Sequence, residues 1–242
     1  MATVTFAGCG DAFGSGGRFQ ACIHVRPGPR QPPLLLDCGA TSLTALKQAG
    51  LDPGEVGAVF VSHLHGDHFG GLPFLILDGQ FSRRTAPLAI AGPPGTRQRL
   101  AAAMECLFPG STQVRRRFEV TVTELGPGHS ATLAGAEAKA YKASHPSGAP
   151  ALILRLDLKG PVIAYTGDTA WTPAIAEAAR HTDLLIAEAY YWDKPVPHHL
   201  RYADLIGHEI TARRVILTHM SADMLDRQPA YEAARDGLAV TI

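Results

Sequence analysis

The chain has 242 residues, in which 22 Lys and Arg balance 22 Asp and Glu. That balance leaves no global field to gather polyanions or to select a membrane surface, and 46% apolar with 18% charged residues is the make-up of an ordinary soluble protein. The length predicts one domain over residues 1–242 with a sizeable core.

The opening stretch MATVTFAGCG enters an apolar strand pattern at once, with no basic region and no long apolar segment, so no secretory signal is expected. No apolar run approaches membrane-spanning length. Cys9, Cys22, Cys38 and Cys106 are scattered without CxxC spacing. They predict small buried hydrophobes in a reducing compartment, not a disulfide framework. The expectation is a cytoplasmic enzyme or binding protein with no membrane partner.

In chain order, apolar and β-branched runs bounded by Gly, Pro or Asp predict strands over 3–8, 20–25, 33–37, 58–62, 87–91, 118–124, 136–143, 151–157, 161–166, 183–187 and 213–218. Helical patterns fall over 41–49, 69–80, 95–107, 172–180, 201–210 and 228–236. Strands arrive in two successive batches with helices between them, which suits two mixed sheets packed face to face with helices outside. The glycine-rich Gly92-Pro93-Pro94-Gly95-Thr96 lacks the Gly-Lys-Ser/Thr ending of a phosphate loop and reads as a turn and helix start.

One stretch carries chemistry on its face. SHLHGDHFGGLP over 62–73 places His63, His65, Asp67 and His68 within six positions of a chain that has eleven histidines in all. Imidazole and carboxylate are the usual ligands of zinc and neighbouring divalent metals. Ala58-Val59-Phe60-Val61 reads as a buried strand and an apolar helix follows Phe69, so the cluster sits on a strand-to-helix loop that can turn these side chains inward. Further ligands are then expected at element ends downstream. His145 closes one strand pattern, Asp168 follows another behind Gly167, and His219 ends a third.

In order and local context, His63, His65, Asp67, His68, His145, Asp168 and His219 resemble the metal-ligand series of the metallo-β-lactamase superfamily, over nearly the whole chain. The resemblance implies an α/β, four-layer αββα sandwich of two mixed β-sheets, with a two-metal site at one edge. It assigns His63, His65 and His145 to one metal, Asp67, His68 and His219 to the second, and Asp168 to both. Seven ligands exceed what one tetrahedral zinc takes but suit two ions sharing a carboxylate. Two divalent metal ions are expected, zinc in first place with manganese or iron as alternatives, and a metal-bridging hydroxide as the attacking group.

Local text narrows the branch. Asp at 168, where the better-known zinc β-lactamases differ, argues against antibiotic hydrolysis, and His at 65 against the oxygen-reducing diiron branch. Gly8-Cys9-Gly10-Asp11-Ala12-Phe13, Leu35-Leu36-Asp37-Cys38-Gly39, and Ile186-Ala187-Glu188-Ala189 followed by His198-His199 resemble the phosphodiesterase branch that includes ribonuclease Z and its small-substrate relatives. That resemblance implies that one of the paired histidines gives a proton to the leaving alkoxide or holds a non-bridging phosphate oxygen. We favour His199 over His198, with Asp67 and His199 as the catalytic side chains. One departure matters: ribonuclease Z carries a tRNA-gripping arm between the counterparts of His145 and Asp168, and here only 22 residues separate them. The expected partner is therefore a small-molecule substrate, a small or cyclic phosphodiester, with nucleic acid possible but not favoured and a homodimer compatible.

Arg83-Arg84, Arg115-Arg116-Arg117 and Arg213-Arg214 are candidate phosphate contacts, weighed against solvated faces. Tyr190-Tyr191-Trp192 and the apolar segment from Phe69 to Phe81 are candidate cleft walls, weighed against ordinary core. Three readings compete with the phosphodiesterase: an acyl hydrolase of lactones or thioesters on the same metals, a ribonuclease Z-like tRNA processing nuclease, and a non-catalytic metal-binding module.

Overall fold

Residues 1–242 are all described by a computed structural model. The first half of the chain forms β1 (Thr3–Gly8), β2 (Cys22–Arg26), β3 (Leu34–Leu36), β4 (Ala58–Phe60), β5 (Leu88–Gly92) and β6 (Val120–Glu124), with helices α1 (Ser42–Gln48), α2 (Gly66–Phe69), α3 (Leu72–Phe81) and α4 (Thr96–Leu107) between them. The second half forms β7 (Ser130–Leu133), β8 (Ala136–Pro146), β9 (Pro150–Asp157), β10 (Val162–Tyr165), β11 (Leu184–Glu188), β12 (Val215–Thr218) and β13 (Glu232–Ala233), with α5 (Pro173–Ala179), α6 (Tyr202–Ile206) and α7 (Ala222–Leu225). The last strand, β14 (Leu238–Thr241), returns to the first sheet and pairs antiparallel with β1. The sheet orders are β14-β1-β2-β3-β4-β5-β6 and β13-β12-β11-β10-β9-β8-β7.

Strand alternation explains why these two sheets need four layers. In β3, Leu34 and Leu36 face the space between the sheets, where they pack with Phe60, Leu154, Tyr165 and Ile186. Leu35 faces the other way, with Val59, Leu72, Ile76 and Leu100 of the first helical layer. The second sheet repeats the pattern: Leu152 and Leu154 point inward, while Ile153 packs outward with Leu185, Ile175 of α5 and Leu205 of α6. Strands buried on both faces read as unbroken apolar runs. Each fully buried Leu or Phe contributes about 1.5–3 kcal/mol relative to exposure. The result is an αββα sandwich.

Its topology fixes where a site can form. β3, β4, β5 and β6 are parallel, as are β10, β11, β12 and β13, so each half of the sandwich presents several carboxyl strand ends at one edge. Asp37 follows β3, His63 follows β4, His145 lies at the end of β8, Asp168 follows β10, Glu188 ends β11 and His219 follows β12. Close backbone approach at that edge needs glycine, as two positions illustrate. A Cβ on Gly39 would lie 2.1 Å from the Asp67 carbonyl oxygen. Gly167 has φ +53° and its Cβ would lie 2.7 Å from Cβ of Ser62.

Several sequence expectations need correction. The helix expected over 228–236 does not form: β13 pairs parallel with β12 there, and Ala234 is buried between the sheets. The strands β7 and β14 had no strong pattern, the first being half polar and the second four residues behind Gly237. The helix expected over 69–80 forms as α3 from Leu72, with Pro73 in its first turn, and the separate turn α2 ends at Phe69 before Gly70-Gly71. Cys106 is exposed, whereas Cys9, Cys22 and Cys38 are buried and all four are free. Burial pushes the Cys22 thiol up to about 12. No helix is long and apolar enough to cross a membrane.

Candidate metal centre

The first motif is shaped by the end of β4. The Ser62 amide donates to Asp37 Oδ1 at 2.7 Å, which turns the chain toward the sandwich edge. His65 is the extended residue that opens α2, and the single turn of that helix carries Asp67 and His68. The hairpin from β8 to β9 brings in His145, the loop after β10 brings in Asp168, and His219 takes a left-handed φ of 54° after β12 while its amide donates to the Cys9 carbonyl at 3.0 Å.

These seven side chains resolve into two donor groups. His63 Nε2 and His145 Nε2 lie 3.2 and 3.1 Å from His65 Nδ1. Asp67, His68, Asp168 and His219 form the second group, with His219 Nε2 and His68 Nε2 each 3.2 Å from Asp67 Oδ2. Asp168 divides its carboxylate between them. Its Oδ1 lies 3.1 Å from His68 Nε2 and 3.5 Å from His219 Nε2. Its Oδ2 lies 3.8 Å from His63 Nε2 and 4.0 Å from His145 Nε2. His68 Nε2, Asp168 Oδ1 and His219 Nδ1 are buried without an aligned hydrogen-bond partner. Buried polar atoms are seldom left so, and a donor set of imidazole nitrogens and carboxylate oxygens is what divalent cations take.

The surrounding hydrogen bonds decide which ring nitrogens carry lone pairs. Asp37 Oδ2 accepts from Ser62 Oγ at 2.7 Å, His68 Nδ1 at 2.6 Å and Tyr165 OH at 2.7 Å. With its proton on Asp37, Ser62 Oγ accepts from His63 Nδ1 at 3.1 Å. His145 Nδ1 donates to the His198 carbonyl at 3.0 Å. Each bond places a proton on Nδ1 and leaves Nε2 of His63, His68 and His145 as the nitrogen aimed at the cluster, able to coordinate once it carries no proton. His65 is the exception and presents Nδ1.

Electrostatics follow the same geometry in the protein alone. Burial pulls the His63 imidazole well below its ordinary range, with the charge of His68 adding to it. Burial lowers His68 and His219 too, yet the carboxylates around them win. Asp168, Asp37 and Asp67 hold His68 well above the usual histidine range, and Asp168 and Asp67 hold His219 up at about 10. Conversely, burial would raise Asp168, but His219 and His68 keep it well below the carboxylate range. A dense set of buried groups displaced in opposite directions is the signature of a functional site.

His199, not His198, turns its ring into this cluster. Glu188 Oε1 accepts from His199 Nδ1 at 2.5 Å, while Glu188 Oε2 accepts from the amides of Thr169 and Leu200, each at 3.0 Å. Burial alone would lower His199, and the Glu188 hydrogen bond and charge raise it. The Tyr190 ring stacks on His199 at 4.8 Å. His198 has φ 66° and supplies its carbonyl.

Other expectations fare differently. Tyr190 walls the site, but Trp192 packs on Tyr202, and α3 buries Leu72, Leu75 and Ile76 in the outer core. Arg84 is buried and donates to the carbonyls of Pro53, Val56, Ala86 and Pro87, which removes it as a phosphate contact. Arg213 and Arg214 pair with Asp183 and Glu232. Arg83, Arg115 and Arg117 are exposed. Asp37, Glu188, Ser62 and Tyr165 had not been marked as site residues. The signal for the first two was present, since both sit in strand ends that resemble the phosphodiesterase branch.

A family model described as anti-Pycsar protein Apyc1 matches residues 2–238. The chain belongs to this Apyc1 family. Among the relatives of this Apyc1-family chain is the ribonuclease Z of Haloferax volcanii, 29% identical with 96% of this chain and 89% of that one covered. The ribonuclease Z of Methanosarcina acetivorans is 27% identical, covering 93% and 90%. The Haloferax alignment extends over 291 positions against 242 residues here, so at least about 50 of them have no counterpart in this chain. Among solved structures, the short form of human tRNase Z superposes with a TM-score of 0.81 at 26% identity, covering 99% of each chain. The metallo-β-lactamase fold protein YhfI of Bacillus subtilis gives 0.79 at 18% identity, covering 99% and 98%, and shares the fold. The Apyc1-family chain is a metal-dependent hydrolase of the metallo-β-lactamase superfamily.

Proposed function

We propose that this hydrolase cleaves a small or cyclic phosphodiester with two divalent metals. His63, His65 and His145 would hold one, Asp67, His68 and His219 would hold the other, and Asp168 faces both donor groups. Zinc suits the imidazole-rich set best, with manganese or iron as alternatives. The observation that carries this reading is the division of Asp168, with one carboxylate oxygen toward each donor group. Bound there, such a pair of ions supplies Lewis acidity and a water nucleophile at neutral pH.

The chain's own residues supply the rest. Asp37, Ser62 and the His198 carbonyl fix the ring orientations before any metal arrives. Asp67, ionised at neutral pH because His68 and His219 outweigh the effect of its burial, orients the attacking water. Glu188 holds His199 Nδ1, which leaves Nε2 to give a proton to the leaving oxygen as its bond to phosphorus breaks. The same carboxylate raises the imidazole's affinity for that proton near neutral pH. The chain works as one domain over 1–242, because β14 pairs with β1. The four free cysteines support a cytoplasmic setting.

A second reading, tRNA 3′ processing, draws support from the relatives named ribonuclease Z. Against it stands the short passage from His145 to Asp168. β8 ends at Pro146, β9 starts at Pro150 and β10 ends at Tyr165, with no span for a gripping arm. The test is turnover by the zinc-loaded or manganese-loaded protein across four panels: nucleoside cyclic monophosphates with bis(p-nitrophenyl) phosphate, a precursor tRNA with a 3′ trailer, lactones, and thioesters. Cleavage of the first panel with kcat/KM at least tenfold above the precursor tRNA is expected. Turnover of acyl substrates alone would replace the phosphodiester reading by an acyl hydrolase. No turnover in any panel would leave a metal-binding module.

A further inference from the structure

His199 can hand over its proton only if Nε2 points at the leaving oxygen, and its hydrogen bond to Glu188 does not by itself decide that direction. The bond at Nδ1 fixes one atom of the ring. The imidazole plane can still swing about that atom, because the terminal torsion of a histidine has broad minima. The ring is half-buried, and residues 192–200 around it form neither helix nor strand. A second constraint is present. The Tyr190 ring lies over His199 with centroids 4.8 Å apart and planes 29° from parallel. His145 meets the same imidazole edge to face, at 4.9 Å and 71°. Tyr190 is itself fastened where two loops cross. Its amide donates to the Leu200 carbonyl at 2.8 Å, one residue beyond His199. Its carbonyl accepts from the Ser221 amide at 3.1 Å and from the Ser221 hydroxyl, two residues beyond His219. The side chain therefore springs from backbone tied to the segments of both the proton donor and a ligand.

We infer that Tyr190 is the positioning residue of the proton donor: its ring fixes the plane of His199 as Glu188 fixes one nitrogen, and the two together aim Nε2. The inference rests on the phosphodiester reading and deepens it. In the step concerned, the bond from phosphorus to the leaving oxygen breaks, and its electron pair stays on that oxygen. The oxygen takes the proton from His199 Nε2, leaving a neutral imidazole that keeps its Nδ1–H on Glu188. A misaimed donor slows only steps that need this proton. An alkoxide needs it in order to leave, whereas a nitrophenolate is stable enough to leave as the anion. Tyr190 thus governs turnover of sugar and alkyl diesters and not of activated aryl ones.

The test compares kcat and KM of the metal-loaded wild type and its variants on two substrates. One is a nucleoside cyclic monophosphate, with a ribose alkoxide as leaving group, and the other is bis(p-nitrophenyl) phosphate. Tyr190→Leu keeps bulk without an aromatic ring. Its kcat on the cyclic diester should fall about 10- to 100-fold, within what a displaced general acid forfeits, with KM within about twofold of wild type. On bis(p-nitrophenyl) phosphate its kcat should fall by no more than about threefold. Tyr190→Phe, which keeps the ring, should rescue the cyclic-diester rate to at least about a third of wild type. His199→Ala should show the same dependence on leaving group. Adding Tyr190→Leu to it should lower the rate by no more than about a further twofold, because a ring that acts through His199 then has nothing left to aim. Metal content should match wild type in every variant. If Tyr190→Leu does not fold, Tyr190→Met carries the same comparison. Equal losses on both substrates, no rescue by Phe, or additive losses in the double variant overturn the positioning role and leave the phosphodiester reading standing. A wild-type protein that turns over neither substrate overturns both.

Discussion

Replacing Asp37 by Asn changes one atom and disturbs both donor groups. The native Oδ2 accepts three hydrogen bonds, from Ser62 Oγ, His68 Nδ1 and Tyr165 OH, and Oδ1 accepts the Ser62 amide. An amide has one acceptor oxygen, so in one orientation its NH2 faces three donors and in the other it faces the Ser62 N–H. All these groups are fully buried, with no solvent to replace the lost acceptor. Removing one partner from such a buried charged network costs about 3–5 kcal/mol, which for a chain of this size lowers Tm by roughly 6–20 °C. His68 and, through Ser62, His63 lose the bonds that set their tautomers, one in each donor group. Metal affinity should therefore fall about 10- to 100-fold, the usual effect of losing a partner behind a ligand. Thermal unfolding in chelator separates the first effect from the second, and competition with a chromophoric zinc chelator measures the second at each site. An Asp37→Asn protein with Tm within 1 °C of wild type and both affinities within about twofold would refute the argument that this carboxylate organises the ligands.

Other perturbations follow the same geometry. Asp168→Ala removes the carboxylate that faces both donor groups, so bound metal should drop from two ions to one or none by elemental analysis, and turnover should fall by more than the about 100-fold of a change behind a ligand. Gly167→Ala introduces a Cβ 2.7 Å from Ser62 Cβ at φ +53°, and should cost about 1–3 kcal/mol in chelator, measured by denaturant unfolding. In the metal-free protein His219 titrates at about 10, so its contribution is complete below the unfolded-state value near 6.5 and is lost as pH rises through 10. A plot of Tm against pH in chelator should therefore fall over that window in wild type and fall less in His219→Gln; parallel curves would contradict the assignment.

The sequence announced the ligands because a catalytic metal site concentrates rare, polar side chains at strand ends. His63, His65, Asp67 and His68 lie on one loop, Asp168 and His219 each follow an apolar run, and His145 closes an alternating strand, so even the downstream members stood out. The sandwich was legible for a related reason: strands such as β3 and β4 are buried on both faces and read as unbroken apolar text. What escaped was set by tertiary contact. β7 is half exposed and only four residues long, and Glu232–Ala233 become a strand solely because β12 lies beside them. Asp37 and Glu188 were visible as text, but their work as anchors for His68 and His199 appears only when the two sheets meet. Arg84 misled because a pair of arginines looks like surface charge, whereas the second of them ties four carbonyls inside the fold.

The bond from the His219 amide to the Cys9 carbonyl joins positions 210 residues apart, and β14 closes on β1 over a still longer separation. Contacts so distant in sequence form late. During synthesis the four ligands of the first motif are made early, but the second donor group lacks His219 until β12 has been made. A nascent chain can therefore offer its early histidines to a metal but cannot assemble the second donor group before His219 is in place.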